Sequence, residues 1–78
     1  MNGIWAEIGE RIWEKRREKR YTQKDTGDLL NLSESAYRRR EDGKRCFTVD
    51  HILTMCTMFF VSPDWILTGK REPTINSK

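Results

Sequence analysis

Four side chains that favour helix N-termini divide the sequence into short segments: Thr22, Ser33, Thr48 and Ser62. Each hydroxyl can accept a hydrogen bond from a free backbone amide in the first turn of a helix. Because these residues follow one another closely, only short helices joined by tight turns fit between them. No segment alternates polar and apolar residues as a half-buried strand does. The sequence therefore predicts an all-α fold.

Helical spacing supports five helices. Ile4, Ile8 and Ile12 recur every four residues, which places them on one face of a first helix. Thr22 and Asp25 have the spacing of a capping box, in which side chains and backbone amides bond reciprocally. The predicted helices are 4–19, 23–30, 34–41, one after Thr48 with Ile52, Met55, Cys56 and Phe59 at core spacing, and one that follows Ser62 and ends at Gly69.

The length and charge of the chain limit its organisation. Its 78 residues suffice for a single small core, so we expect one domain over 1–70 and a flexible tail over 71–78. The net charge of +3 is unevenly distributed, because five basic residues face two acidic ones both in 14–20 and in 38–45. Two local basic clusters of this kind suit a surface that meets a polyanion.

Several classes of protein are disfavoured. The chain lacks a run of roughly 18 apolar residues and a secretion signal at its start, which predicts a cytoplasmic protein without a membrane partner. Cys46, His51 and Cys56 match no zinc spacing, and two cysteines are too few for a disulfide framework, so free thiols and no metal are expected. With one histidine and no glycine-rich phosphate loop, we expect neither an enzyme, nor a cofactor, nor a small-molecule ligand.

Residues 23–40 have the pattern of a helix-turn-helix, with two short helices and a tight turn. Gly27 allows the two helices to approach each other, and Leu32 fills the turn. Leu30 and Tyr37 occupy positions where an inward side chain is needed. By itself this pattern also fits a helical hairpin with no role in DNA binding.

Further blocks of sequence extend the pattern. The chain resembles the Cro and phage-repressor-like (XRE) family of helix-turn-helix proteins over roughly residues 8–69. The resemblance rests on IGERI at 8–12, YTQ at 21–23, LL at 29–30, LS at 32–33, EDGKR at 41–45, VS at 61–62 and DWILTG at 64–69. It implies a five-helix, lambda-repressor-like domain that binds double-stranded DNA as a prokaryotic or phage transcription regulator, with repression as the expected outcome.

The resemblance also implies which residues contact DNA. The second helix of the motif, 33–41, would lie in the major groove, where exposed side chains reach base edges. The implied base-contacting residues are Ser33, Glu34, Ser35 and Arg39, joined by Arg38 on the same exposed face; the implied phosphate contacts are Gln23, Lys44 and Arg45. An arginine can donate two hydrogen bonds to guanine, whereas a glutamate can only accept from cytosine. Arg16 and Glu41 are expected to form a structural ion pair.

The sequence departs from the family's usual pattern at four positions: Lys15, Thr26, Tyr37 and Arg40 stand where the family commonly has apolar residues. The predicted motif core is therefore more polar than is usual in the family.

We also expect a homodimer, formed through Phe60, Trp65 and Ile66, because neighbouring residues on a helix cannot all face one small core. An alternative is an interaction module of the antirepressor or antitoxin kind, with little DNA affinity. Its apolar surface would include Trp5, Met58, Phe60 and Trp65.

Overall fold

A computed structural model of the chain describes residues 3–70. The predicted flexible tail, 71–78, lies outside the described residues. The described residues form five helices, which confirms the all-α prediction. They are α1 (Ile4–Glu18), α2 (Gln23–Leu29), α3 (Glu34–Glu41), α4 (Val49–Phe59) and α5 (Pro63–Thr68). The first two helices end one residue earlier than predicted, because Lys19 and Leu30 are C-caps.

The predicted caps determine where α2 and α3 begin. Thr22 Oγ1 accepts from the Asp25 amide at 2.9 Å, and the Asp25 carboxylate accepts from the Thr22 amide at 3.1 Å. These bonds from Thr22 lower the pKa of Asp25. Ser33 accepts from the Ala36 amide at 3.1 Å at the start of α3. Between the two helices Asn31 has a φ of 63°, the left-handed conformation that asparagine tolerates, so the chain reverses in a tight turn.

The chain divides after Cys46 into two compact units. The first unit contains α1, α2 and α3, and its buried apolar residues are Ile8, Ile12, Leu30 and Tyr37. Helices α1 and α3 approach closely at Gly9, where a Cβ would overlap the backbone carbonyl of Glu41. Gly27 allows α2 to lie against the turn that precedes α3, since a Cβ there would come 2.9 Å from the Leu32 carbonyl oxygen.

The second unit contains α4 and α5. Among its described residues, 47–70, the buried ones are all apolar: Phe47, Ile52, Met55, Cys56, Phe59, Val61 and Ile66. Thr48 caps α4, as predicted, with its hydroxyl accepting from the His51 amide at 3.1 Å. Phe60 is the C-cap of α4, and its φ of 57° is unusual for a bulky residue. Gly69 is the C-cap of α5, and its φ of 74° suits glycine.

Candidate nucleic-acid interface

Helix α3 has one buried face and one exposed face. Tyr37 and Glu41 are buried on its inner side. All five residues that the sequence predicted on this helix for contact with DNA are exposed: Ser33, Glu34, Ser35, Arg38 and Arg39. The exposed face therefore presents hydroxyl, carboxylate and guanidinium groups, which are the groups that bond to base edges and phosphates.

A buried hydrogen-bond network centred on Glu41 holds α3 against α1 and α2. Arg16 on α1 donates to both carboxylate oxygens of Glu41, through Nε at 2.8 Å and Nη2 at 3.2 Å. The Tyr37 hydroxyl donates to Oε2 at 2.6 Å, and Gln23 Nε2 donates to Oε1 at 2.9 Å. Four donated bonds satisfy a carboxylate that would otherwise be costly to bury.

The network also determines the protonation of its members. Burial opposes the charge of Arg16, but the hydrogen bonds and charge of Glu41 outweigh it and raise the pKa of Arg16. Burial and the bond to Glu41 both raise the pKa of Tyr37. The guanidinium is therefore charged and the phenol protonated at neutral pH, as the directions of the bonds require.

Gln23 lies within this network, although the sequence predicted it to contact phosphate. Its Nε2 is bonded to Glu41, and its Oε1 accepts from Arg38 Nε at 3.2 Å. The side chain is half-buried. Gln23 thus connects the buried carboxylate to an arginine on the exposed face of α3.

The three consecutive arginines of α3 have different surroundings. Arg38 Nη2 lies 3.4 Å from Glu34 Oε2 in an exposed pair, in addition to its bond with Gln23. Within the part of the chain that the structure describes, no hydrogen bond or ion pair engages the Arg39 guanidinium. Arg40 is half-buried, and it donates from Nη1 to the Ala36 carbonyl at 2.9 Å while its Nε has no partner. Arg39 is thus the arginine whose donors are all available.

Lys44 and Arg45 lie in the loop after α3, and both are exposed. The Lys44 amide donates to the Arg39 carbonyl at 2.9 Å. Gly43 has a φ of 82° and lies so close to α1 that a Cβ would come 2.6 Å from the Ala6 Cα. These constraints hold the loop in a defined position at the end of α3.

The sequence did not reveal the hydrogen bonds of Tyr37 and Gln23. Tyr37 was predicted only as an inward side chain, although Tyr37 and Glu41 are four residues apart on one helix and can therefore meet. The contact between Gln23 and Glu41 joins two helices, and no local pattern indicates it.

The residues predicted for a dimer contact differ in accessibility. Phe60 is 62% exposed and Trp65 is half-buried, but Ile66 is completely buried. The prediction that Ile66 forms part of a dimer contact is therefore corrected: its side chain faces the core and offers no surface to a partner. Val49 and Leu53, four residues apart on α4, are 74% and 51% exposed. Their spacing in the sequence could have revealed this second apolar surface.

The geometry of α2 and α3 is that of a helix-turn-helix protein. The model of the helix-turn-helix family matches residues 14–66, and the chain belongs to this family, in its Cro and phage-repressor-like (XRE) branch. It is accordingly a DNA-binding protein of the transcription-regulator class.

A solved structure is similar to most of the chain. It is the restriction-modification controller protein C.AhdI from Aeromonas hydrophila, with a TM-score of 0.69 and 26% sequence identity. The match covers 80% of this chain and 94% of that protein. None of the curated proteins matches the chain. No helix among residues 3–70 has the length and hydropathy of a membrane span.

Proposed function

We propose that the protein is a transcriptional repressor that binds its operator as a homodimer with α3 in the major groove. The observation that best supports this is the exposed outer face of α3, held in place from behind by the Glu41 network. An α-helix fits the major groove of B-form DNA, and side chains near its N-terminus reach base edges. The likeness to a restriction-modification controller protein supports a regulatory role.

Within this proposal Arg39 is the principal base-contacting residue, since all of its donors are available for a guanine. Glu34 would be unfavourable near phosphates if its charge were isolated. Its pairing with Arg38 reduces that repulsion and leaves the carboxylate able to accept from a cytosine amino group. Ser33 and Ser35 have shorter side chains, whose hydroxyls can donate and accept hydrogen bonds at the same end of the helix.

Lys44 and Arg45 are the proposed phosphate contacts, because both cations are exposed and the constrained loop holds them next to the end of α3. Gln23 is assigned a different role from the one that the sequence indicated. Its bonds to Glu41 and Arg38 make it a positioning residue for α3. The bond to Glu41 uses only one of the two Nε2 hydrogens, so the other is available to a phosphate.

Fluorescence anisotropy with the duplex upstream of the protein's own gene, at two salt concentrations, tests the proposal. Arg39→Ala should weaken specific binding by roughly 1 to 3 kcal/mol and relax the preference at one base pair. Arg39→Lys is the matched control, because it keeps the charge but loses the bidentate geometry. Lys44→Ala should weaken binding to all sequences alike and reduce the salt slope by about 1. If both alanine variants lose affinity equally on every sequence, the assignment of the two roles is wrong.

The proposed dimer would bury the exposed ring of Phe60 together with Trp65. One small recognition helix makes few base contacts, whereas two copies on half-sites about one turn apart add theirs. Hydrodynamic mass across micromolar concentrations should rise for the wild type and stay monomeric for Trp65→Ala. A wild type that stays monomeric both free and on DNA would refute the dimer.

Repression requires only that the protein occupies its operator, because a dimer bound over a promoter excludes the polymerase. Transcription in vitro from a template with the upstream duplex should therefore fall as protein is added. An increase in transcript would identify an activator instead.

A protein-interaction module is the second candidate, and the exposed apolar residues Val49, Leu53 and Phe60 favour it. The same anisotropy titration separates the two functions, because binding to phosphates weakens steeply with salt. A chain that binds no duplex even at low salt would support the interaction module.

A further inference from the structure

Apart from Arg16, which belongs to the Glu41 network, the basic cluster at 14–20 has no role in the function proposed so far. The structure distinguishes its members: Lys15 pairs with Glu18 at 2.8 Å, and Arg16 is buried against Glu41. Arg17 and Arg20 are exposed, and neither forms an ion pair with any of the described residues. Two cations of the cluster are thus available to a partner.

Both arginines line an open cleft of about 460 Å³ where the end of α1 meets the start of α2. Gln23 and Glu34 line the same cleft. Glu34 also belongs to the proposed DNA-contacting face, and its charge is paired with Arg38. The cleft therefore continues that face onto α1 and has an excess of positive charge.

The backbone around the cleft is held by specific bonds. Arg16 Nη1 donates to the Tyr21 carbonyl at 2.7 Å, and the Tyr21 amide donates to the Arg16 carbonyl at 3.0 Å. The Arg17 guanidinium lies 4.9 Å from the ring centroid of Trp13, a cation–π contact that limits its freedom. A partly ordered arginine loses less entropy when it binds an anion.

Arg20 occupies a position that disfavours any residue with a Cβ. Its φ of 68° lies in the left-handed region, where glycine is preferred just after a helix. Backbone strain of this kind is a reason to look for a function of the side chain. Here that side chain is an exposed guanidinium at the cleft.

We propose that Arg17 and Arg20 bind backbone phosphates of the same duplex that α3 recognises, and so extend the contact beyond the helix-turn-helix. This inference rests on the proposed DNA binding. The partner is identified by the position of the cleft beside Glu34 and by its charge, and the contact is independent of base sequence.

Salt-dependent anisotropy titrations of Arg20→Gly and Arg17→Gln test it, on the upstream duplex and on an unrelated duplex of equal length. Each variant should reduce the slope of log K against log salt by about 0.9, which corresponds to roughly eightfold weaker binding at about 0.1 M salt. The loss should be the same on both duplexes. Arg20→Lys is the matched control, because it keeps the charge, and it should retain the wild-type slope.

Thermal unfolding excludes a trivial explanation. Glycine suits the backbone at position 20, so Arg20→Gly should be at least as stable as the wild type although it binds DNA less well. Wild-type affinity and slope in Arg20→Gly, with Arg39→Ala still impaired, would overturn this inference and leave the proposed function intact. A wild type without salt-dependent duplex binding would overturn both.

Discussion

The two units of the chain are stabilised by different interactions. The first unit buries the charged pair of Arg16 and Glu41 and the hydroxyl of Thr26 beside its apolar residues. In the described part of the second unit the buried side chains are all apolar, and several further apolar side chains, such as those of Val49 and Phe60, are exposed. Hydrogen bonds depend on direction, whereas apolar burial does not. The unit that contains the candidate DNA-contacting face is thus the one in which the orientation of a helix is specified most closely.

The buried charges make the first unit easier to destabilise by substitution. A buried ion pair adds little net stability over a well-packed apolar pair, but the loss of one member leaves an uncompensated charge. The stability of the first unit should therefore fall when a buried polar side chain is replaced by one of the same shape but different charge or hydrogen bonding. A purely apolar core has no such side chains to replace.

Glu41→Gln should have the largest effect on stability. The variant keeps the shape of the side chain but leaves the Arg16 charge without its partner, so the free energy of unfolding should fall by about 3 to 5 kcal/mol. Urea denaturation measures the change. Lys24→Ala is the control, because the exposed Lys24–Asp28 pair at 3.1 Å should contribute less than about 1 kcal/mol. Similar losses for both variants would contradict the importance of burial.

Tyr37→Phe should destabilise the protein by about 1.5 to 3 kcal/mol, because it removes the 2.6 Å bond to a charged carboxylate and keeps the ring. The pKa of Tyr37 is raised in the folded protein, whereas the unfolded phenol ionises near its ordinary value of about 10. Above that pH the unfolded state binds fewer protons than the folded state, so the contribution of Tyr37 to stability should fall as the pH rises. Denaturation of both proteins at pH 7 and above pH 10 measures it. A constant difference between them would contradict the assigned bond.

Gly9→Ala should also destabilise the first unit, by about 1 to 3 kcal/mol, since the new methyl group would overlap the Glu41 carbonyl and separate α1 from α3. In a helix without this contact, the same change would instead stabilise by about 1 kcal/mol. Thr54→Ala, at an exposed position of α4, is the comparison in the second unit and should raise stability slightly. A gain in the melting temperature of Gly9→Ala would show that the two helices do not need this approach.

The sequence predicted the five helices because their determinants are local. Thr22, Ser33 and Thr48 cap helices within three residues of themselves, and the isoleucines of α1 repeat at helical spacing. The exposed face of α3 could be predicted for the same reason, since the buried Tyr37 determines which neighbours point outward.

The remaining parts of the candidate site depend on contacts between distant residues. Gln23 and Glu41 are far apart in the sequence, and only the packing of α2 against α3 brings them together. The cleft beside Arg20 likewise arises from the way α1 meets α2. For Phe60, Trp65 and Ile66, composition alone could not decide which side chain faces the core, and Ile66 was assigned to the wrong side.

Phe60→Gly should have the smallest effect on stability and the opposite sign. Phe60 has a φ of 57° and is 62% exposed, so glycine would relieve the left-handed backbone and remove little buried area. We expect the free energy of unfolding to rise by about 0.5 to 1 kcal/mol. Phe60→Ala removes the same ring but keeps the backbone strain, so it should show no such gain. If Phe60 contributes to the proposed dimer, both variants should lose self-association in sedimentation while only the glycine variant becomes more stable. A loss of stability in Phe60→Gly as large as that in Gly9→Ala would mean that the end of α4 is as tightly specified as the first unit, and the contrast between the two units would not hold.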